Sequence, residues 1–283
     1  MNRNLYKGFI LGLWILSSNG LTAKAATIPW NIATASLTVS GTSTDDYIIT
    51  GTTTTNFVVV NAGYQGIITL SDVNISLSGT DSPIDIKGQN NRSNLTPVSN
   101  VGIILEGNNI LRYAGIGGCA FQVEQGAQIN ISAIDPSDNA SGKLEATVTT
   151  PNGGAGIGAL SRSGSTNEAT ATVTIIGGCT SQVTAGGNIV ISSGTVTARG
   201  GHGAGIGGGY QSYYDGMIVI YGGVVNASTI VHAAGIGSGC PNGTGVTPCY
   251  TPNSAIIVLP PAQITATGAA NSQNVPVPAL ALA

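Results

Sequence analysis

Charge is what this sequence has least of. Only 7% of its 283 residues are Asp, Glu, Lys or Arg, with nine basic and twelve acidic side chains in all. The basic residues are also scattered, so there is no stripe to meet nucleic acid phosphates and no cluster to grip an anionic membrane. The residues that normally coat exposed helix faces are nearly missing, which argues against a helical protein. Disorder is excluded as well, because 42% of the chain is hydrophobic and β-branched residues abound. Glycine (42 residues), threonine, serine and asparagine fill the gap, and that mixture predicts strands joined by tight turns.

Long apolar runs are absent too. The run Gly8–Leu16 is too short to span a bilayer. It follows Arg3 and Lys7 and precedes Ala23-Lys24-Ala25. A basic flank, a short apolar core and an A-x-A site predict a secretory leader over residues 1–25, cut after Ala25. The mature chain keeps six basic residues against twelve acidic ones, a formal charge of −6.

What is present is repetition. The stretch GHGAGIGGGY contains G-x-G-x-x-G at Gly203, Gly205 and Gly208, the spacing of a dinucleotide cradle. Such a cradle occurs once, between a strand and a helix. Here Ala-Gly-Ile-Gly occurs four times, at residues 114–117, 155–158, 204–207 and 234–237, and leads into polar, non-helical loops. The run therefore reads as a structural repeat.

A larger module surrounds it. From both Ile189 and Ile218 an Ile-x-Ile strand is followed by Gly at +5 (Gly194, Gly223), Val at +7 (Val196, Val225) and Ala at +9 (Ala198, Ala227). The same seven-residue step links Ile68 to Ile75, Ile103 to Ile110 and Ile257 to Ile264. Residues 117–132 and 177–192 agree at nine of sixteen positions. Alternating apolar residues make short strands with one buried face, and variable spacing between them suits a parallel β-solenoid whose turns stack like on like. The Ile of each Ala-Gly-Ile-Gly would be an inward peg, and the glycines would sit at corners or close approaches. With about 25 residues per turn, about ten turns make a rod roughly 45–50 Å long. A β-sandwich would instead show strands every 8–12 residues joined by hairpin turns, and would leave the glycine motif unexplained.

The segment from Tyr47 to Gly88, followed by GIILEGNNILRYAGIGG, resembles the secreted right-handed parallel β-helix proteins of the carbohydrate-binding, pectate-lyase-like type. The matching pieces are Ile68-Thr69-Leu70-Ser71-Asp72-Val73-Asn74-Ile75, Ser82-Pro83-Ile84 and Ile104-Leu105-Glu106-Gly107-Asn108-Asn109. The Gly-Ala-Gly-Ile-Gly-Gly portion resembles bacterial surface proteins with that repeat. The resemblance covers roughly residues 45–270. It implies a single-stranded right-handed parallel β-helix, all-β, and calcium-assisted binding of plant or microbial polysaccharide. A lyase site needs a basic proton acceptor and further cations, which six scattered basic residues supply poorly.

The expected organisation is a leader (1–25), an N-terminal extension or cap (26–45), the β-helix (46–270) and an extended tail (271–283). Tyr210, Tyr213, Tyr214 and Asp215 form the sequence's best sugar platform, since tyrosine faces stack on sugar rings and a carboxylate holds hydroxyls. Asp135, Asp138 and Asn139 place three side-chain oxygens within five residues, a calcium candidate with ordinary turn capping as its alternative. Asp72, Asp81 and Asp85 form a second acidic group. His202 and His232 share a repeat phase and are expected to stack without a third metal ligand. Cys240 and Cys249 bracket a turn-rich loop and are expected to be bonded. Cys119 and Cys179 share a phase, but sixty residues read as two or more turns, which favours buried thiols. The resulting expectation is a secreted or cell-surface, non-catalytic polysaccharide-binding or adhesion module, with calcium as a candidate aid. It binds no nucleic acid, has no transmembrane segment, and leaves its C-terminal end for a cap or partner chain. A polysaccharide lyase or hydrolase and a purely structural surface protein are the alternatives.

Overall fold

The computed structural model describes residues 25–88, 98–159, 187–209, 217–237, 239, 255–269 and 280–281. These are all strand, turn or irregular, with no helix among them. No helix of the described residues is therefore long and apolar enough to cross a membrane. Within Gly203–Gly208, Ile206–Gly207 is a short strand paired in register with Ile157–Gly158 and Ile236–Gly237, as a structural repeat requires.

Among the described residues every strand pairing is parallel, and the strands form three ladders. The first contains β1 (Thr27–Asn31), β3 (Asp46–Thr50), β6 (Ile67–Ser71), the first half of β9 (Ser99–Tyr113), β11 (Ala127–Ala133), β14 (Asn188–Ile191), β17 (Met217–Ile220) and β20 (Ala255–Val258). The second contains β4 (Thr52–Thr53), β7 (Asn74–Leu77), the second half of β9, β12 (Gly142–Val148), β15 (Thr195–Gly200), β18 (Val224–Thr229) and β21 (Gln263–Thr267). The third contains β2 (Leu37–Val39), β5 (Val58–Val60), β8 (Ile84–Ile86), β10 (Phe121–Val123), β13 (Ile157–Gly158), β16 (Ile206–Gly207), β19 (Ile236–Gly237) and β22 (Leu280–Ala281). The first two ladders join through β9 into one fourteen-stranded, strongly curled sheet. Residues 26–45 already supply β1 and β2 to the first and third ladders.

The core follows from alternation. In the first ladder Tyr47, Ile68, Ile103, Ile131, Ile191 and Ile220 stand in register, and each is buried. In the third, Val58, Ile84, Phe121, Ile157, Ile206 and Ile236 do the same. Each such side chain contributes about 1.5–3 kcal/mol by leaving water. The column reaches daylight at its last member: Val258 is 42% exposed where Ile220 before it is fully buried.

Register corrects three expectations. Successive steps in the first ladder, from Tyr47 to Val258, are 21, 35, 28, 60, 29 and 38 residues. Among the described residues the ladder holds eight strands against the roughly ten turns expected, because steps of up to sixty residues separate neighbouring strands. Sixty residues, from Ile131 to Ile191, are one step and not two. The seven-residue step holds for Ile68–Ile75, Ile189–Val196 and Ile218–Val225. It slips by one elsewhere: Leu111, not Ile110, is the inward partner of Ile75, and Ile256, not Ile257, that of Ile218. A residue is added at each of those two corners.

Three of the four Ala-Gly-Ile-Gly copies place their isoleucine inside, at Ile157, Ile206 and Ile236. The first does not. Ile116 is 65% exposed, and Phe121 holds the place that the repeat assigned to it. The third-ladder partner of Ala155-Gly156-Ile157-Gly158 is thus Cys119-Ala120-Phe121-Gln122.

Candidate functional site on the outer face of the second ladder

Four segments with the same local pattern build this face. In GKLEATV, GTVTARG, GVVNAST and AQITATG an apolar residue and then an alanine point inward, and the residues between them point out. Stacking in register turns the outward residues into three columns. One runs Lys143, Thr195, Val224, Gln263, and a second runs Glu145, Thr197, Asn226, Thr265. The third runs Arg112, Thr147, Arg199, Ser228, Thr267. Neighbouring rows are about 4.8 Å apart, so hydroxyls and amides recur at a regular spacing along each column.

Cations gather there. Of the four described basic side chains beyond the leader, Arg112, Lys143 and Arg199 lie on this face. Arg112 pairs with Glu145, Nη2 to Oε1 at 2.9 Å and Nε to Oε1 at 3.2 Å. Lys143 and Arg199 are exposed and form no ion pair with another described residue.

The fourth cation, Lys87, sits on the outer side of the third ladder. Its Nζ is 2.6 Å from Asp85 Oδ2 and 2.7 Å from Glu124 Oε1. Burial opposes its charge, but hydrogen bonds and attraction from Asp85 and then Glu124 hold its pKa above the usual lysine range. Gln122 Nε2 donates to Glu124 Oε1 at 3.2 Å, and Ser82 Oγ donates to Gln122 Oε1 at 3.2 Å. Sequence reasoning missed this group, since Asp85, Lys87, Gln122 and Glu124 become neighbours only through pairing of β8 with β10.

The acidic candidates do not converge. Asp135 Oδ1 accepts from Ser137 N–H (2.9 Å) and its hydroxyl (2.6 Å), and Asp138 Oδ1 accepts from Ala140 N–H (2.8 Å). Asn139 Oδ1 accepts from Gly194 N–H on the following pass, at 2.9 Å. Each oxygen caps a different backbone group. The Ser137 bonds hold the Asp135 carboxyl below its ordinary pKa. Asp72 sits at the corner between first and second ladders, accepting Asn108 N–H at 2.8 Å, whereas Asp85 pairs with Lys87 on the third ladder. Among the described residues no three of His, Cys, Asp and Glu are placed to hold a metal ion.

His202 and His232 stack as expected, with ring centroids 5.9 Å apart and planes inclined by 25°. Cys119 is a free, buried thiol whose Sγ donates to the Ala159 carbonyl at 2.8 Å. Burial pushes its pKa up, away from reactivity. Tyr210, Tyr213, Tyr214, Asp215, Cys179, Cys240 and Cys249 lie outside the described residues. No protein-family model, no curated protein and no solved structure matches the chain.

Proposed function

We propose that the chain is a secreted, single right-handed parallel β-helix that binds polysaccharide at a bacterial surface without cleaving it. Parallel pairing in all three ladders supports the helical reading. The observation that carries the binding reading is the in-register outer face of the second ladder. Its repeated hydroxyls and amides suit sugar hydroxyls, and its two cations without ion pairs among the described residues, Lys143 and Arg199, suit a glycan that also bears carboxylates. Tyr210, Tyr213, Tyr214 and Asp215 remain the sequence's candidate for a further contact, and calcium remains a proposed aid.

The test is retention on insoluble polysaccharides, carboxylated and neutral, with and without calcium. Lys143→Ala with Arg199→Ala should lower retention on the carboxylated glycan about tenfold, since two exposed charge-assisted contacts are each worth roughly 0.5–1 kcal/mol. Tyr213→Ala with Tyr214→Ala probes the loop. New reducing ends or unsaturated products would overturn the non-catalytic reading and favour the lyase or hydrolase. A structural surface protein is the second reading, favoured by Ile257, Val258 and Leu259, which stay 39–49% exposed on the last pass. It predicts concentration-dependent assembly with no glycan retained.

A further inference from the structure

Two independent observations meet at Ala26. The leader pattern ends at Ala23-Lys24-Ala25, and β1 begins at Thr27. Ala26 is already tied to the neighbouring strand on both sides of its own backbone. Its carbonyl accepts Asp46 N–H at 2.8 Å, and its nitrogen donates to Asp45 Oδ1 at 3.1 Å. We propose that cleavage between Ala25 and Ala26 creates an N-terminal ammonium that Asp45 receives, so that maturation itself fastens the first strand. This rests on the reading of residues 1–25 as a leader.

The chemistry balances as an ordinary peptide hydrolysis. Water adds to the Ala25 carbonyl, the C–N bond breaks, Ala25 departs as a carboxylate, and the Ala26 nitrogen takes up a proton at neutral pH. A neutral amide donor thereby becomes a cation facing a carboxylate, and charge-assisted hydrogen bonds are roughly twice as strong as neutral ones.

Asp45 is held for the purpose. Its N–H donates to Ser43 Oγ at 3.2 Å, and its carbonyl accepts the Tyr64 hydroxyl at 2.8 Å. The adjacent carboxylate is occupied, because Asp46 Oδ1 accepts Ile67 N–H at 2.8 Å. Tyr47 Oη lies 3.4 Å from Ser43 Oγ. Among the described strands β1 pairs with β3 alone, so its first residue would otherwise be a fraying end. Before cleavage the same nitrogen carries the leader and no charge.

The full chain is secreted from a bacterial host and its N-terminus read by mass spectrometry; the expected first residue is Ala26. Melting is then followed from pH 6 to 9.5 for the mature protein, for Asp45→Asn, and for mature protein acetylated at its α-amino group. A free α-amino group titrates at about 7.7–8.0. Its partner raises that value in the folded state, so the stabilisation is present below pH 8 and is lost as pH rises through the folded value. The unmodified protein should therefore lose about 2–4 °C more between pH 7 and 9.5 than either comparison protein. A start other than Ala26 would overturn the cleavage site. A start at Ala26 with three coincident pH profiles would overturn the role of Asp45 while leaving the leader intact.

Discussion

Asn109 shows how one side chain can hold several passes together. It is buried, its Oδ1 accepts Val73 N–H at 3.0 Å, and its Nδ2 donates to the carbonyls of Glu106 and Lys143, each at 3.1 Å. Those three backbone groups belong to three successive passes. Asn109→Ala removes all three bonds, the one to Val73 N–H fully buried, and is expected to cost about 1–3 kcal/mol, read as a lower urea midpoint at unchanged slope. The histidine pair gives a pH signature. Burial, and then the proximity of His232, lower the pKa of His202 below its ordinary value. The unfolded chain therefore takes up this proton first, at about pH 6.5. The stabilisation is present above that pH and lost as pH falls through it. Melting temperature should drop between pH 7.5 and 5, and His202→Asn should flatten that drop; an unchanged slope would show that the stack is not its source.

At the level of strands, the glycines of the third ladder decide how closely passes approach. Gly158, Gly207 and Gly237 all take φ between 126° and 134°, and a Cβ on Gly207 would collide with the Gly237 carbonyl. Gly207→Ala is expected to cost roughly 1–3 kcal/mol through strain and overpacking, measured by guanidinium unfolding. The same replacement at exposed Gly79, which has open space around it, should be far milder. The corners between first and second ladders use a different device. Gly51, Gly194 and Gly223 turn with φ of 101°, 89° and 81°. Two of these, Gly194 and Gly223, were legible as corner residues from the repeat, because a left-handed turn selects glycine locally. The slip at Ile110 was not legible: one added residue at a corner leaves the apolar pattern intact while reversing which face it serves.

Over the whole molecule, charge is placed more tightly than its scarcity suggests. Arg112, Lys143 and Arg199 come from three different passes and share one face of an otherwise acidic chain. Exposed cations are screened within about 8 Å at physiological salt, so glycan retention through them should fall as salt rises, while contacts through hydroxyls alone should not.

The sequence by itself determined the all-β class, the inward and outward alternation, the corner glycines and the stacking of His202 on His232. Each follows from residue type and short spacing. Tertiary structure alone decided that sixty residues make a single step, that Phe121 displaces Ile116 from the core, and that three separated cations share one face. Those outcomes depend on loop length, and loops carry no period: only hydrogen bonding between passes states which row lies beside which.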